Sequence, residues 1–139
     1  MKNRSLADDY LTRAAHRLAA LEVLFERRSW ADVVRESQEV VELALKALLR
    51  FSNIETPRVH DVGGILRKER DKLPKRSHPH LERFISISKD LRRDRELAFY
   101  GSEDLTPSEF YDQSDAQKAL EGAKWLVEAV GKIFGSSRK

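Results

Sequence analysis

The stretch Ser29-Trp30-Ala31-Asp32-Val33-Val34-Arg35-Glu36-Ser37-Gln38-Glu39-Val40-Val41-Glu42-Leu43-Ala44-Leu45-Lys46-Ala47-Leu48-Leu49 decides the fold. Trp30, Val33, Val34, Ser37, Val40, Val41, Ala44, Leu45, Leu48 and Leu49 recur at steps of three and four, the spacing that lines up one face of a helix. Gln38, Glu39, Glu42 and Lys46 take other faces. Ser37 and Ala44 are small enough to let a second helix approach closely. Ser29 stands where a helix cap belongs, with Asp32 three residues on in the position of a capping box.

Toward the N-terminus, Leu6 to Arg28 predicts a first helix, with Tyr10, Ala14, Leu18, Leu21, Leu24 and Phe25 on one stripe. Asp8 and Asp9 near its start and Arg27-Arg28 at its end would complement the helix dipole. His16 lies among charged neighbours and reads as a surface residue. A break at Ser29 alone separates the two helices, so they should form an antiparallel hairpin.

Toward the C-terminus, Asn53 to Val59 is a connector containing Pro57. Asp61 can cap a short helix running to about Asp71, weakened by Gly63-Gly64. Leu73 to Pro79 reads as a basic loop. A further long helix begins near Pro79, with Leu81, Phe84, Ile85, Ser88, Leu91 and Ala98 on its buried side. Thr106-Pro107-Ser108-Glu109 looks like one capped turn. Ser114-Asp115-Ala116-Gln117 resembles a capping box opening the last helix. That helix carries Ala116, Ala119, Leu120, Ala123, Val127, Val130 and Phe134 on its stripe. Trp125 and Ile133 fall off the stripe, which implies either a wide buried face or a second partner. The tail, about residues 135–139, is expected to be disordered. The fold class that follows is all-α, an up-and-down bundle of four long helices and one short one, in a single domain over 1–139.

Composition bounds the function. Of 139 residues, 40% are apolar and 35% charged, which suits long amphipathic helices with one wet face. There is no cysteine, hence no disulfide, thiolate nucleophile or cysteine-zinc site. No run approaches the roughly 18 apolar residues of a membrane span, and Met1 to Asp9 is too polar for a secretory signal. A cytoplasmic protein without membrane contact is expected. Net charge is +3, but Arg67 to Arg76 holds six basic residues against two acidic ones, either a solvated loop or a phosphate-binding surface. Gly63-Gly64 is not a nucleotide-binding glycine loop, and serine catalysis lacks both its elbow and a base. The histidines at 16, 60, 78 and 80 have no metal-ligand spacing, so neither metal nor cofactor is expected.

Chemistry concentrates in Asp90-Leu91-Arg92-Arg93-Asp94-Arg95-Glu96-Leu97-Ala98-Phe99-Tyr100-Gly101. On a helix, Arg93, Leu97 and Tyr100 return to nearly one face, and Gly101 would end the helix. A guanidinium fork beside a phenol suits a phosphate or a nucleobase. The same residues also suit a solvated, salt-bridged helix end. Arg92, Arg93 and Arg95 could stabilise a phosphorane, but no histidine lies in this helix end to move a proton.

Gln38 to Leu49, Pro57-Arg58-Val59-His60-Asp61, the Asp90–Gly101 stretch and Asp115-Ala116-Gln117-Lys118-Ala119-Leu120, taken in order, resemble the HEPN family (higher eukaryotes and prokaryotes nucleotide-binding). The resemblance implies a small helical bundle, commonly homodimeric. Many members are metal-independent RNases with an arginine followed four to six residues later by histidine. Toxin members add a polar residue after the arginine and a tyrosine beyond the histidine. Laid on this chain, the pattern implies phosphate-binding roles for Arg92, Arg93, Asp94, Arg95 and Tyr100, and catalytic roles for Arg93 and Tyr100 if the site is active. Ala98 stands at the histidine position. The expected function is therefore a nucleotide- or RNA-binding module without RNase chemistry, with a separately encoded minimal nucleotidyltransferase as companion in a toxin–antitoxin-like system. Two alternatives stand beside it. One is an active RNase using Tyr100, His60 or a histidine from the partner subunit as base, although a phenol of pKa ~10 is a poor base at neutral pH. The other is a purely structural helical dimer.

Overall fold

The computed structural model describes the backbone of residues 2–56, 62–100 and 106–137, and the side chains of 4–56, 62–92 and 106–135. Four long helices carry the fold: α1 (Lys2–Glu26), α2 (Trp30–Phe51), α4 (Leu81–Tyr100) and α6 (Gln113–Ser137). A short α3 (Val62–Lys68) and a single turn, α5 (Pro107–Phe110), lie between them. Two 3₁₀ segments, Arg70–Lys72 and Lys75–His80, lead into α4. The described residues contain no strand, and the all-α bundle matches the sequence expectation.

Helix α2 is the centre. It packs against α1, α6 and α4, with smaller contacts to α3 and α5. Val33, Val40, Ala44, Leu45, Leu48 and Leu49 are completely buried. On α1, Ala7, Ala14 and Leu21 are equally buried at seven-residue steps, one line along the helix. On α6, Leu126 and Ile133 join the predicted stripe in the core. The buried face is wide because α6 touches α2, α1, α4 and the second 3₁₀ segment. Ile133 is 3% exposed, and the half-buried Trp125 packs against His80, Phe84 and Arg83, so both have partners within the chain.

Several local expectations need correction. Helix α1 starts at Lys2, so Asp8 and Asp9 sit beyond its first turn; Asp9 instead faces Arg13 one turn on at 4.0 Å. Arg27 and Arg28 lie past its end. Arg28 takes the left-handed conformation (φ 60°), and the Ser29 N–H reaches back to the Leu24 carbonyl at 3.0 Å. This closure usually employs glycine. Asn53 (φ 60°) ends α2 the same way, with the Ile54 N–H donating to the Leu49 carbonyl at 2.9 Å.

The capping box at Ser29 does not form: its hydroxyl donates to the Asp32 carboxylate (2.6 Å) and accepts nothing from the helix backbone. The box opening α6 is two residues earlier than expected. The Asp115 N–H donates to Asp112 Oδ1 and the Asp112 N–H to Asp115 Oδ2, both at 3.0 Å. Two aspartates reproduce the reciprocal bonding more commonly made by Ser and Glu. The Thr106 turn is capped as predicted, with the Glu109 N–H donating to Thr106 Oγ1 at 3.3 Å. Helix α3 stops at Lys68 rather than Asp71. The basic loop before α4 is wound into 3₁₀ turns with Pro79 inside, so α4 begins at Leu81. Helix α6 continues through Ser137, past the point where a tail was expected, since glycine weakens a helix without stopping it. His60, Asp61, Gly101 and Ser102 lie outside the described residues.

The polar side of α2 is the largest departure. Gln38 and Glu42, which the sequence puts off the apolar stripe, are 3% and 6% exposed. Neighbours on several sides cover the helix, and the polar groups are satisfied in part, with Gln38 Oε1 and Ser37 Oγ buried without a hydrogen-bond partner among the described residues. Gln38 Nε2 donates to Glu42 Oε2 (3.2 Å), and Lys46 Nζ pairs with Glu42 Oε1 (3.0 Å).

Candidate nucleic-acid interface

Helix α4 divides into two sides. Leu81, Phe84 and Leu91 enter the core. Ile85, Ser88, Lys89 and Arg92 follow at i, i+3, i+4 and i+7 and line a cavity of about 190 Å³ shared with Gly63, Gly64 and Arg67 of α3. Gly63 explains why α3 lies so close. A Cβ there would come within 3.3 Å of Ile85 Cγ2, tighter than ordinary side-chain packing tolerates. Gly63, one of the pair that weakens α3 as a helix, thus lets α3 sit against α4, and Arg67 lines the same cavity as Lys89 and Arg92. Three cations converge on a cavity whose walls include glycine backbone and the mostly buried Ser88. Arg67 is bonded to Glu82 at 3.0 Å with both side chains largely exposed, an arrangement that contributes little energy. Such a corner can take an anion: exposed guanidinium and ammonium groups offer charge, and Arg adds a planar fork.

Helix α4 remains α-helical through Tyr100, the condition required for Arg93 and Tyr100 to share a face. Its register places Arg93 four residues beyond Lys89 and next to Arg92, so the predicted motif begins where the basic corner ends. The side chains of Arg93, Asp94, Arg95, Ala98 and Tyr100 lie outside the described residues. Of the predicted ligand residues, Arg92 is therefore the one with a described side chain, and it lines the corner. Sequence reading missed Arg67, Lys89 and Gly63 as members of this site. The signal available was the basic residues on either side of α4's first turns, but the pairing of α3 with α4 cannot be read from spacing.

The basic run from Arg67 to Arg76 does not form one surface. Arg67 faces Glu82, Lys72 pairs with Glu69 at 3.2 Å, and Arg76 donates twice to the Ile133 carbonyl at 2.9 and 2.6 Å. Three histidines have described surroundings. His16 is exposed as expected, His78 Nε2 contacts the Arg70 carbonyl at 2.9 Å, and His80 meets the edge of Trp125. No cluster of metal-ligating side chains occurs among the described residues.

The family model for the HEPN domain matches residues 7–133, nearly the whole chain. The chain belongs to the HEPN family. The matched span takes in all four long helices and the α3–α4 corner, so the HEPN assignment and the bundle describe the same unit. No curated protein and no solved structure matches the chain. No helix among the described residues of this HEPN domain is long and apolar enough to cross a membrane.

Proposed function

We propose that this HEPN domain binds nucleotides or single-stranded RNA through the α3–α4 corner and the adjoining Arg93–Tyr100 segment, and does not cleave what it binds. The observation that carries the reading is the convergence of Arg67, Lys89 and Arg92 on one cavity, directly before the motif arginine. Arg92, Arg93 and Arg95 hold phosphate with Asp94 at the family's polar position, and Tyr100 offers a ring for a base. Cleavage without metal needs a group to move the proton of the attacking 2′-hydroxyl. At the family's histidine position this chain has Ala98, which has no such group.

The domain acts as a homodimer beside a separately encoded minimal nucleotidyltransferase, in a toxin–antitoxin-like pair. What supports association is the family, whose domains often dimerise. A stable dimer would bury on the order of 2,000 Å². Its mass in solution at micromolar concentration tests it, and a monomer would sink the dimer.

Binding is tested by titrating labelled single-stranded RNA into the protein at several salt concentrations. The affinity should fall steeply with salt as displaced counterions are taken up again. An affinity indifferent to salt, or absent, leaves the domain as a structural helical bundle.

A further inference from the structure

At the other end of α4, the second 3₁₀ segment and α6 enclose a separate cavity of about 250 Å³. Its walls combine three kinds of group. Arg76 and Lys132 supply positive charge, Trp125 and His80 supply aromatic surface, and Glu128 supplies one opposing carboxylate. Arg76 is fixed in place by its two bonds to the Ile133 carbonyl, with donors left over beyond those two. Trp125 is fixed as well: the Arg83 guanidinium lies 3.7 Å from its ring, and His80 and Phe84 are 5.7 and 5.5 Å away. An immobilised indole beside oriented cations is the combination that holds an unpaired base together with its phosphate.

We infer that this groove is a second contact for single-stranded RNA, with a base stacking on Trp125 and phosphate held by Arg76 and Lys132. The inference rests on the reading of the domain as an RNA binder. Arg83 covers one part of the ring, so the base takes the part of Trp125 that borders the cavity. Glu128 opposes the phosphate and sets a limit on affinity. That limit makes the site testable in both directions, because Lys132 and Glu128 are exposed and their neutral variants should leave the fold intact.

The experiment uses the full chain and a labelled oligoadenylate of about twelve nucleotides, within the range one protein groove engages. Lys132→Gln should weaken binding roughly three- to tenfold and flatten the salt dependence by about one counterion. Glu128→Gln should strengthen binding by a similar factor. In a Trp30→Phe background, Trp125 is the sole tryptophan, and its emission should be quenched as RNA is added. Salt-dependent binding that ignores both substitutions and leaves Trp125 emission unchanged would overturn this groove while sparing the α3–α4 corner. Absence of RNA binding by the wild type would overturn both.

Discussion

Helices α2 and α4 are of similar length, 22 and 20 residues, and both carry charge along their sides, yet they use it oppositely. On α2, Gln38, Glu42 and Lys46 bond to one another at the edge of the core. On α4, Lys89 and Arg92 turn toward a cavity whose wall is made of glycine backbone and another cation. The difference comes from the neighbours. Long helices surround α2, and the polar groups they cover bond mainly to one another. One flank of α4 meets only the short, glycine-bearing α3, which leaves space and positive charge together. Charge on a helix therefore indicates function only after its surroundings are known.

The comparison breaks most readily in the core of α2. Leu45 is completely buried, and Leu45→Ala should cost about 2–5 kcal/mol of folding stability by removing packed volume. Urea denaturation measures this. The folded fraction should bind RNA as the wild type does. A large loss of RNA affinity in the folded protein would mean that α2 contributes to the site.

The complementary change is on α4. Arg93→Ala should weaken RNA binding by roughly 1.5–3 kcal/mol, the range of a charge-assisted contact, with little change in Tm. Lys89→Ala should cost about 0.5–1.5 kcal/mol of binding. If either substitution lowers Tm by several degrees and leaves RNA affinity alone, the α4 charges serve structure as those of α2 do.

Below Arg93→Ala in size is Glu42→Gln, which keeps the shape but leaves Lys46 without its carboxylate partner. Stability should fall by about 1–2 kcal/mol, with RNA affinity unchanged. The smallest effect lies at the end of α1. Arg28 is held at φ 60°, and Arg28→Gly should stabilise the protein by about 0.5–1 kcal/mol by relieving that conformation. Thermal melting decides the sign.

The bundle was legible because its signals agreed. The stripes of α2 and α6, the break near Ser29 and the Thr106 turn all pointed to the same helices. Boundaries slipped where two chemistries compete for one role. Asp112 took the cap expected at Ser114, and Ser29 bonded to Asp32 instead of the backbone. Burial of Gln38 and Glu42 was not legible, because periodicity shows which side of a helix is apolar and not how many neighbours surround it. Of the candidate ligand residues, Arg92 lines the α3–α4 corner, and Lys89, Arg67 and Gly63 join it there through the docking of α3 on α4, which spacing along the chain does not show.

The central claim is an RNA-binding HEPN domain that has lost the proton-transfer group of an RNase. Its most direct test is cleavage of single-stranded RNA near neutral pH, in the presence of a chelator, by the purified wild type and by Ala98→His. The wild type should bind the RNA and leave it intact. Ala98→His should gain measurable cleavage, since acid–base assistance is typically worth ~10²–10⁴ in rate, and Arg93→Ala should abolish that gain. Robust, chelator-resistant cleavage by the wild type, lost on Tyr100→Phe or His60→Ala, would contradict the account.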